Sequence, residues 1–242
     1  MLISVKNLSR FWNIDPKRIL HVGGHEGEEF EDYKRYFSAP VTWVEAQPNK
    51  VEIIQKKIKG SDNNVISATV WSVGGVNLNL NVMTNSQSSS LFELGTHSTE
   101  HPEIEFSHKL QVTTSTLDDI VGEKEFDYIS LDIQGAELEA LKGFSTGIRN
   151  VKWIYTEVNR MSLYEGCCLV DQLDLFLSKE GFERVATRWT RHQWGDALYI
   201  SRSIKRKQTS IRYIGWKVLS LTRAGYQFLY LVKKSFRFFK SS

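Results

Sequence analysis

Apolar runs and stretches of helical character alternate along most of the first 200 residues. Arg18 to Val22 (RILHV) is a short apolar run that ends in glycines, and Glu28 to Phe37 has helical composition. Val41 to Ala46 is the next predicted strand. Pro48 follows at a first-turn position, where its fixed φ suits a helix, and that helix is expected to run to Lys59 and stop at Gly60. Val65 to Val70 predicts a third strand and Asp127 to Leu131 another, followed by helical AELEALK with Gly143 as its stop. Val151 to Thr156 predicts a further strand, and Val170 to Lys179 a helix that ends near Gly181. Strands and helices in turn imply βαβ crossovers and a largely parallel sheet.

Two segments break the rhythm. Val76, Leu78, Leu80 and Val82 alternate with Asn77, Asn79 and Asn81, the pattern of a half-buried antiparallel strand. That strand opens an insertion rich in Ser, Thr and His that runs to about His108. Phe182 to Trp189 and Ala197 to Ser201 read as two strands joined by a short connection, an antiparallel pair closing the sheet edge. The expected architecture is a doubly wound, Rossmann-like α/β domain over 1–202 with a helical extension over 203–242.

Composition adds one asymmetry. The chain has 242 residues, 41% hydrophobic and 24% charged, which suits a globular protein. Its net charge of +3 conceals eleven Lys or Arg and no acid from residue 201 onward, so residues 1–200 carry −8. From Arg212 to Lys240, six of seven basic residues share one helical face: Arg212, Arg223, Lys233, Lys234, Arg237 and Lys240. Apolar residues such as Ile211, Val218, Phe228 and Phe236 gather opposite. A basic amphipathic helix of this kind predicts contact with an anionic membrane surface; the competing readings are packing on the domain or on a second subunit, as in a homodimer. No run of about 18 apolar residues occurs, the first residues do not read as a signal peptide, and the only cysteines are the adjacent Cys167 and Cys168. A reducing, cytoplasmic setting is expected.

Chemistry concentrates at strand ends. In HVGGHEGEEF, Gly23, Gly24 and Gly27 lie between a strand and a helix, where glycine permits positive φ and close approach to a ligand. The dehydrogenase spacing GxGxxG is not matched. A looser pattern, acid-x-G-x-G-x-G, is typical of S-adenosylmethionine (AdoMet) enzymes; here His21 replaces the acid and His25 the central glycine, and His25 can donate a hydrogen bond to the ligand. Glu45 ends the second strand, where a carboxylate can accept from ribose hydroxyls. Loop and acid predict a nucleoside-type cofactor without choosing between AdoMet and NAD. Asp132, Glu137 and Glu157 stand at or just beyond adjacent strand ends, where open α/β sheets place their ligands, with Asn159 beside them.

The choice is made by SLDIQGAELEALKG, Ser130 to Gly143, which resembles the D-x-x-G-x-E-x-x-x-L-x-G block of the FkbM family of methyltransferases. The order of the short motifs VGGHEG, VEAQPN, SSSL, TLDDI, that block, TEVNRMSLYEG and GDALYI resembles the same family over roughly residues 18 to 201. The resemblance implies a Rossmann-like methyltransferase sheet and transfer of a methyl group from AdoMet, mostly to hydroxyls of sugars, lipo-oligosaccharides and polyketides. A sugar, glycan or glycolipid hydroxyl is therefore the expected acceptor. AdoMet is expected on Gly23, Gly24, His25, Gly27 and Glu45. Asp132, Glu137 and Glu157 are expected on the acceptor side, at least one of them acting as base or metal ligand, with His192 and Asp196 in reserve. Asp132, Glu157 and Asn159 also resemble the oxygen ligands of metal-dependent catechol-type enzymes, so Mg²⁺ is a candidate cofactor. Trp71, Trp189 and Trp194 are candidate sugar platforms. An RNA or other nucleic-acid methyltransferase is disfavoured, because LDIQ stands where an Asp/Asn-Pro-Pro-aromatic block would be and Glu157 where ribose 2′-O enzymes need lysine. The non-enzymatic alternative is a binding module that has kept the fold and lost AdoMet.

Overall fold

The computed structural model describes residues 1–93 and 105–205, and among these ten strands form two sheets. The larger sheet has the order β3-β2-β1-β7-β8-β10-β9. Its members are β1 (Ile19–Val22), β2 (Val41–Glu45), β3 (Asn64–Ser67), β7 (Tyr128–Leu131), β8 (Trp153–Asn159), β9 (Phe182–Trp189) and β10 (Trp194–Ser201). All neighbours are parallel except β10, which runs antiparallel to both β8 and β9. Strand order reverses at β1, between β2 and β7, the place where doubly wound sheets open a ligand crevice.

Side-chain alternation along the strands sorts the core into two layers. Ile19 of β1, Trp43 of β2, Tyr128 of β7 and Tyr155 of β8 face α1 (Val5–Trp12), α2 (Phe30–Tyr36) and α3 (Pro48–Lys57). Leu20, Val22, Ile129, Leu131 and Ile154 face the opposite way, onto α4 (Leu117–Val121), α5 (Glu137–Lys142) and α6 (Val170–Lys179). Each fully buried Leu, Ile or Phe contributes roughly 1.5–3 kcal/mol, and both layers are rich in them. Local signals fix the helix ends. Ser4 caps α1 by accepting from Asn7 N–H, and Asn13 closes that helix in the left-handed conformation. Thr116 Oγ1 accepts from Asp119 N–H at 3.1 Å to start α4.

Two predicted elements differ, and one strand was not predicted. Val65 to Val70 is not one strand: β3 ends at Ser67, Ala68 N–H donates to Glu45 O, and Thr69–Val70 becomes β4 in the second sheet, parallel to β6 (Phe106–Ser115). Most of β6 is exposed, so its pairing with β5 (Asn77–Met83) carried no strong apolar signal. The alternation read for β5 holds in its first half only, since Asn81 is buried. Residues 206–242, most of the basic extension, lie outside the described residues, and no described helix is long and apolar enough to cross a membrane.

Candidate active site

Two clefts open at the carboxyl ends of β1, β2, β7 and β8 and meet above the strand-order reversal. The first is lined by Val22, Val44, Glu45, Thr69, Val70 and Leu80, with Ser86 and Ser89 from the insertion. The second, of about 450 Å³, is lined by His21, Glu29, Asn85, Glu157, Tyr164, Trp194 and Asp196 among others. Gly23, His25, Gln87, Asp132 and Gln134 line both.

The first cleft suits a nucleoside. Glu45 ends β2 and is buried; its Oε2 accepts from His25 N–H at 2.7 Å and its Oε1 from Gln47 N–H at 2.8 Å. Each oxygen keeps a lone pair for a ribose hydroxyl. Burial raises the Glu45 pKa, while the N–H groups of Gln47 and His25 pull against it. His25, at φ 42°, places Nδ1 at 2.6 Å from Glu28 and Nε2 at 2.8 Å from Ser86 Oγ, which ties the glycine turn to the insertion. Gly23 lines both clefts, but Gly24 and Gly27 line neither. A Cβ at Gly24 would meet Ile54 and Trp43, and one at Gly27 would meet Ile54 and Lys57. Of the three glycines expected at the cofactor, the clefts are therefore reached by Gly23, while Gly24 and Gly27 let the turn pack against β2 and α3.

His21, which takes the place of an acid, is buried. It stacks on Trp43 with ring centroids 4.5 Å apart and lies 3.0 Å from the Tyr33 hydroxyl. Burial lowers its pKa, which keeps the imidazole neutral at physiological pH.

The carboxylates meet in the second cleft. Glu157 and Asp196 are register partners across β8 and β10 and sit side by side, both buried. Asp132 directly follows β7 and stays open to the cleft. The residue that joins them, Gln134, was not singled out from the sequence. Its Nε2 donates to Asp132 Oδ1 at 2.7 Å and to Glu157 Oε2 at 3.1 Å, and its Oε1 accepts from Tyr164 OH at 2.6 Å. Gln134 adopts φ 51°, a left-handed conformation that costs a non-glycine residue roughly 1–2 kcal/mol. Only the turn's tertiary contacts hold it there. Surrounding protein, and then the Asp196 charge, push the Asp132 pKa up to about 6. Burial, followed by the charges of Asp132, Glu137 and Asp196, pushes the Glu157 pKa well above its ordinary value.

Other expectations are met differently. Glu137 lines neither cleft: its Oε1 accepts from Ile133 N–H at 3.1 Å and Gly135 N–H at 3.2 Å. Burial raises its pKa to about 7. It shapes the turn that presents Asp132 and Gln134 rather than facing the acceptor. His192 accepts from Arg191 Nε outside both clefts. Of the three tryptophans, Trp194 lines the second cleft, Trp189 lies under Arg160 at 4.1 Å, and Trp71 lines a separate cavity beside Phe92. For Mg²⁺ the fit is poor. Among the described residues no group of three or more His, Cys, Asp or Glu is placed to hold a metal ion, and the donor amide of Gln134 lies between Asp132 and Glu157.

A seven-stranded sheet with one antiparallel strand, and a glycine turn facing a strand-end acid across its switch point, define the Rossmann-like methyltransferase fold. Within that class the chain belongs to the FkbM methyltransferase family, since the methyltransferase FkbM domain matches residues 21–184. The chain is 35% identical over 115 residues to 2-O-methyltransferase NoeI of Sinorhizobium fredii, an alignment that covers 46% of each protein. It thus spans about half the length of that curated relative. Among solved structures it is similar to a SAM-dependent methyltransferase from Aquifex aeolicus (TM-score 0.46, 11% identity, 80% of this chain and 86% of that one). The plantazolicin methyltransferase BpumL in complex with SAH is also similar (TM-score 0.46, 12% identity, 82% and 81%). At these scores the two likenesses add nothing to what the strand order already establishes.

Proposed function

We propose that the protein is an AdoMet-dependent O-methyltransferase that modifies a hydroxyl of a sugar, glycan or glycolipid. The observation that carries this reading is the position of Asp132, an acid that lines both the nucleoside cleft and the wider polar cleft. A methyl group must pass where donor and acceptor compartments meet. AdoMet supplies that methyl as an electrophile on sulfur. Glu45 offers acceptors to the ribose, and Val22, Val44, Val70 and Leu80 give apolar walls. Asp132, which Gln134 holds in place, would take the hydroxyl proton as the acceptor oxygen bonds to the methyl carbon and the carbon–sulfur bond breaks to leave a neutral thioether. Asn85, Gln87, Gln134 and Trp194 line the wide cleft with hydrogen-bonding groups and an aromatic face suited to a sugar. The name of the relative NoeI, a 2-O-methyltransferase, supports oxygen as the acceptor atom.

The test pairs calorimetry with transfer of labelled methyl from AdoMet to nucleotide sugars and glycan fragments, with and without Mg²⁺. The parent is expected to bind AdoMet. Glu45→Ala should bind it at least about tenfold more weakly, since one charge-assisted hydrogen bond contributes roughly 1.5–3 kcal/mol. A parent that binds AdoMet and methylates none of these acceptors would remove the glycan assignment. One that does not bind it would favour the non-enzymatic module.

For the extension over 203–242 we propose contact with an anionic membrane surface, supported by the basic face read from its sequence. The full-length protein should sediment with anionic vesicles and remain in the supernatant with neutral ones. Combining Lys233→Glu, Lys234→Glu and Arg237→Glu should abolish that sedimentation; unchanged recovery would end the membrane role.

A further inference from the structure

One buried acid of the wide cleft is left over by the mechanism. Asp196 is close to Glu157, yet its Oδ2 already accepts two hydrogen bonds, from the Leu2 N–H and from the Tyr155 hydroxyl. The same Tyr155 oxygen accepts from Ile3 N–H at 3.0 Å. From the other side, Arg188 Nη1 donates to Leu2 O at 2.7 Å. Three successive main-chain polar groups of an extended segment are therefore each taken by a side chain of β8, β9 or β10. Ile3 is buried in the same core layer as Val5 and Leu8 of α1, which anchors the far end of the segment. Met1 and Leu2 line the wide cleft together with Leu163 and Trp194. Residues 1–3 lie outside the stretch that matches the FkbM domain, so this wall belongs to the chain and not to the matched domain.

A segment whose main chain is satisfied by fixed partners is a preformed surface and not a loose flap. Leu2 then bounds the wide cleft that Trp194 also lines. Resting on the reading of this cleft as the acceptor site, we propose that Leu2 is a specificity-determining residue that limits acceptor size. In this arrangement Asp196, Tyr155 and Arg188 are positioning residues that hold the wall. Asp196 serves the acceptor site by shaping it and does not take the proton.

The test uses the full-length protein, Leu2→Ala, the conservative Leu2→Met, and Tyr155→Phe, which removes only the oxygen that links Ile3 to Asp196. Hydrogen exchange should show the Leu2 and Ile3 amides protected in the parent and faster in Tyr155→Phe. With methyl glycosides of one to four sugar residues as acceptors, Leu2→Ala should raise kcat/KM for the largest accepted glycoside relative to the smallest by about tenfold. The change should appear in KM, with AdoMet affinity within about twofold of the parent. Tyr155→Phe should move the ratio in the same direction, and Leu2→Met should restore it. Unprotected amides in the parent, or an unchanged ratio in Leu2→Ala, overturn the inference while the functional reading stands. A parent that methylates no glycoside overturns that reading, and the inference falls with it.

Discussion

Gly23→Ala is expected to abolish AdoMet binding and to cost the fold about 3 kcal/mol or more. Gly23 sits at φ 83°, where an L side chain is strained, and a Cβ there would lie 1.8 Å from the carbonyl oxygen of Asp132. That oxygen is main chain and cannot swing aside. The carboxyl ends of β1 and β7 would have to separate, which breaks the bond from Asp132 N–H to Val22 O. The separation falls at the junction of the two clefts, so stability and binding should fail together. The neighbouring glycines provide the contrast. At Gly24 the new methyl would meet side-chain atoms of Ile54 and Trp43 at 3.0–3.1 Å, and at Gly27 it would find ordinary contacts at 3.6–3.7 Å with only the strain of φ 67°. Gly27→Ala should cost about 1 kcal/mol and leave AdoMet affinity within a few-fold of the parent. Thermal denaturation and calorimetry on the three variants check the ranking. Equal losses at all three positions would mean that the β1–β7 junction is not the sensitive point.

That ranking could not be read from the sequence, because the spacing of Gly23, Gly24 and Gly27 says nothing about which face of the turn each one presents. What could be read was the part of the fold set by local pattern. The limits of α6 and β9 agree with their predicted ranges, and β1, β2, β7, β8 and β10 fall within a few residues of theirs. Apolar strands flanked by Gly and Pro leave little choice of element. The failures came where tertiary context decides. Val65 to Val70 is uniformly suited to a strand, but its last bond to β2 runs from Ala68 N–H to Glu45 O, and Thr69–Val70 then pairs with β6 in the other sheet.

The acids at strand ends were legible for a different reason: doubly wound sheets place ligands there whatever the chemistry. Sequence could place Asp132, Glu137 and Glu157 in one region but could not orient them. Glu137 satisfies its own turn, as a first-turn helix acid can. Gln134 was not singled out. Its signal, had it been weighed, was its place inside the block between Asp132 and Gly135, where a side chain two residues after a strand-end acid can reach back to it.

Asp132→Asn is expected to lower kcat by about 100-fold or more, the usual scale for losing general-base help. Asp132 and Glu157 stand at the same site but should not behave alike. Burial, and next the charge of Asp132 itself, push the Glu157 pKa well up and favour its protonated form, which Glu157→Gln resembles. It disturbs the contacts from Gln134 and Asn159, and a loss of about tenfold is expected from that misplacement. The pH profile separates the roles further. With its pKa raised from 3.8 to about 6, Asp132 is a free base above about pH 6 and takes up a proton below it. The parent's kcat/KM should therefore fall as pH drops through about 6, a limb that belongs to the coupled cluster as a whole. The residual activity of Asp132→Asn should lack that limb. Stability should move the other way. A carboxyl whose folded pKa exceeds its unfolded one makes the fold progressively less stable as pH rises from the unfolded value to the folded one. Asn cannot ionise, and its Oδ1 can still accept from Gln134. Asp132→Asn should then melt at or above the parent's Tm at pH 7.5 while turning over far more slowly, the trade expected of a catalytic group held in a strained charge state. Near-parental kcat in Asp132→Asn would remove Asp132 as the base. A fall in kcat matched by a fall in Tm would make it structural instead.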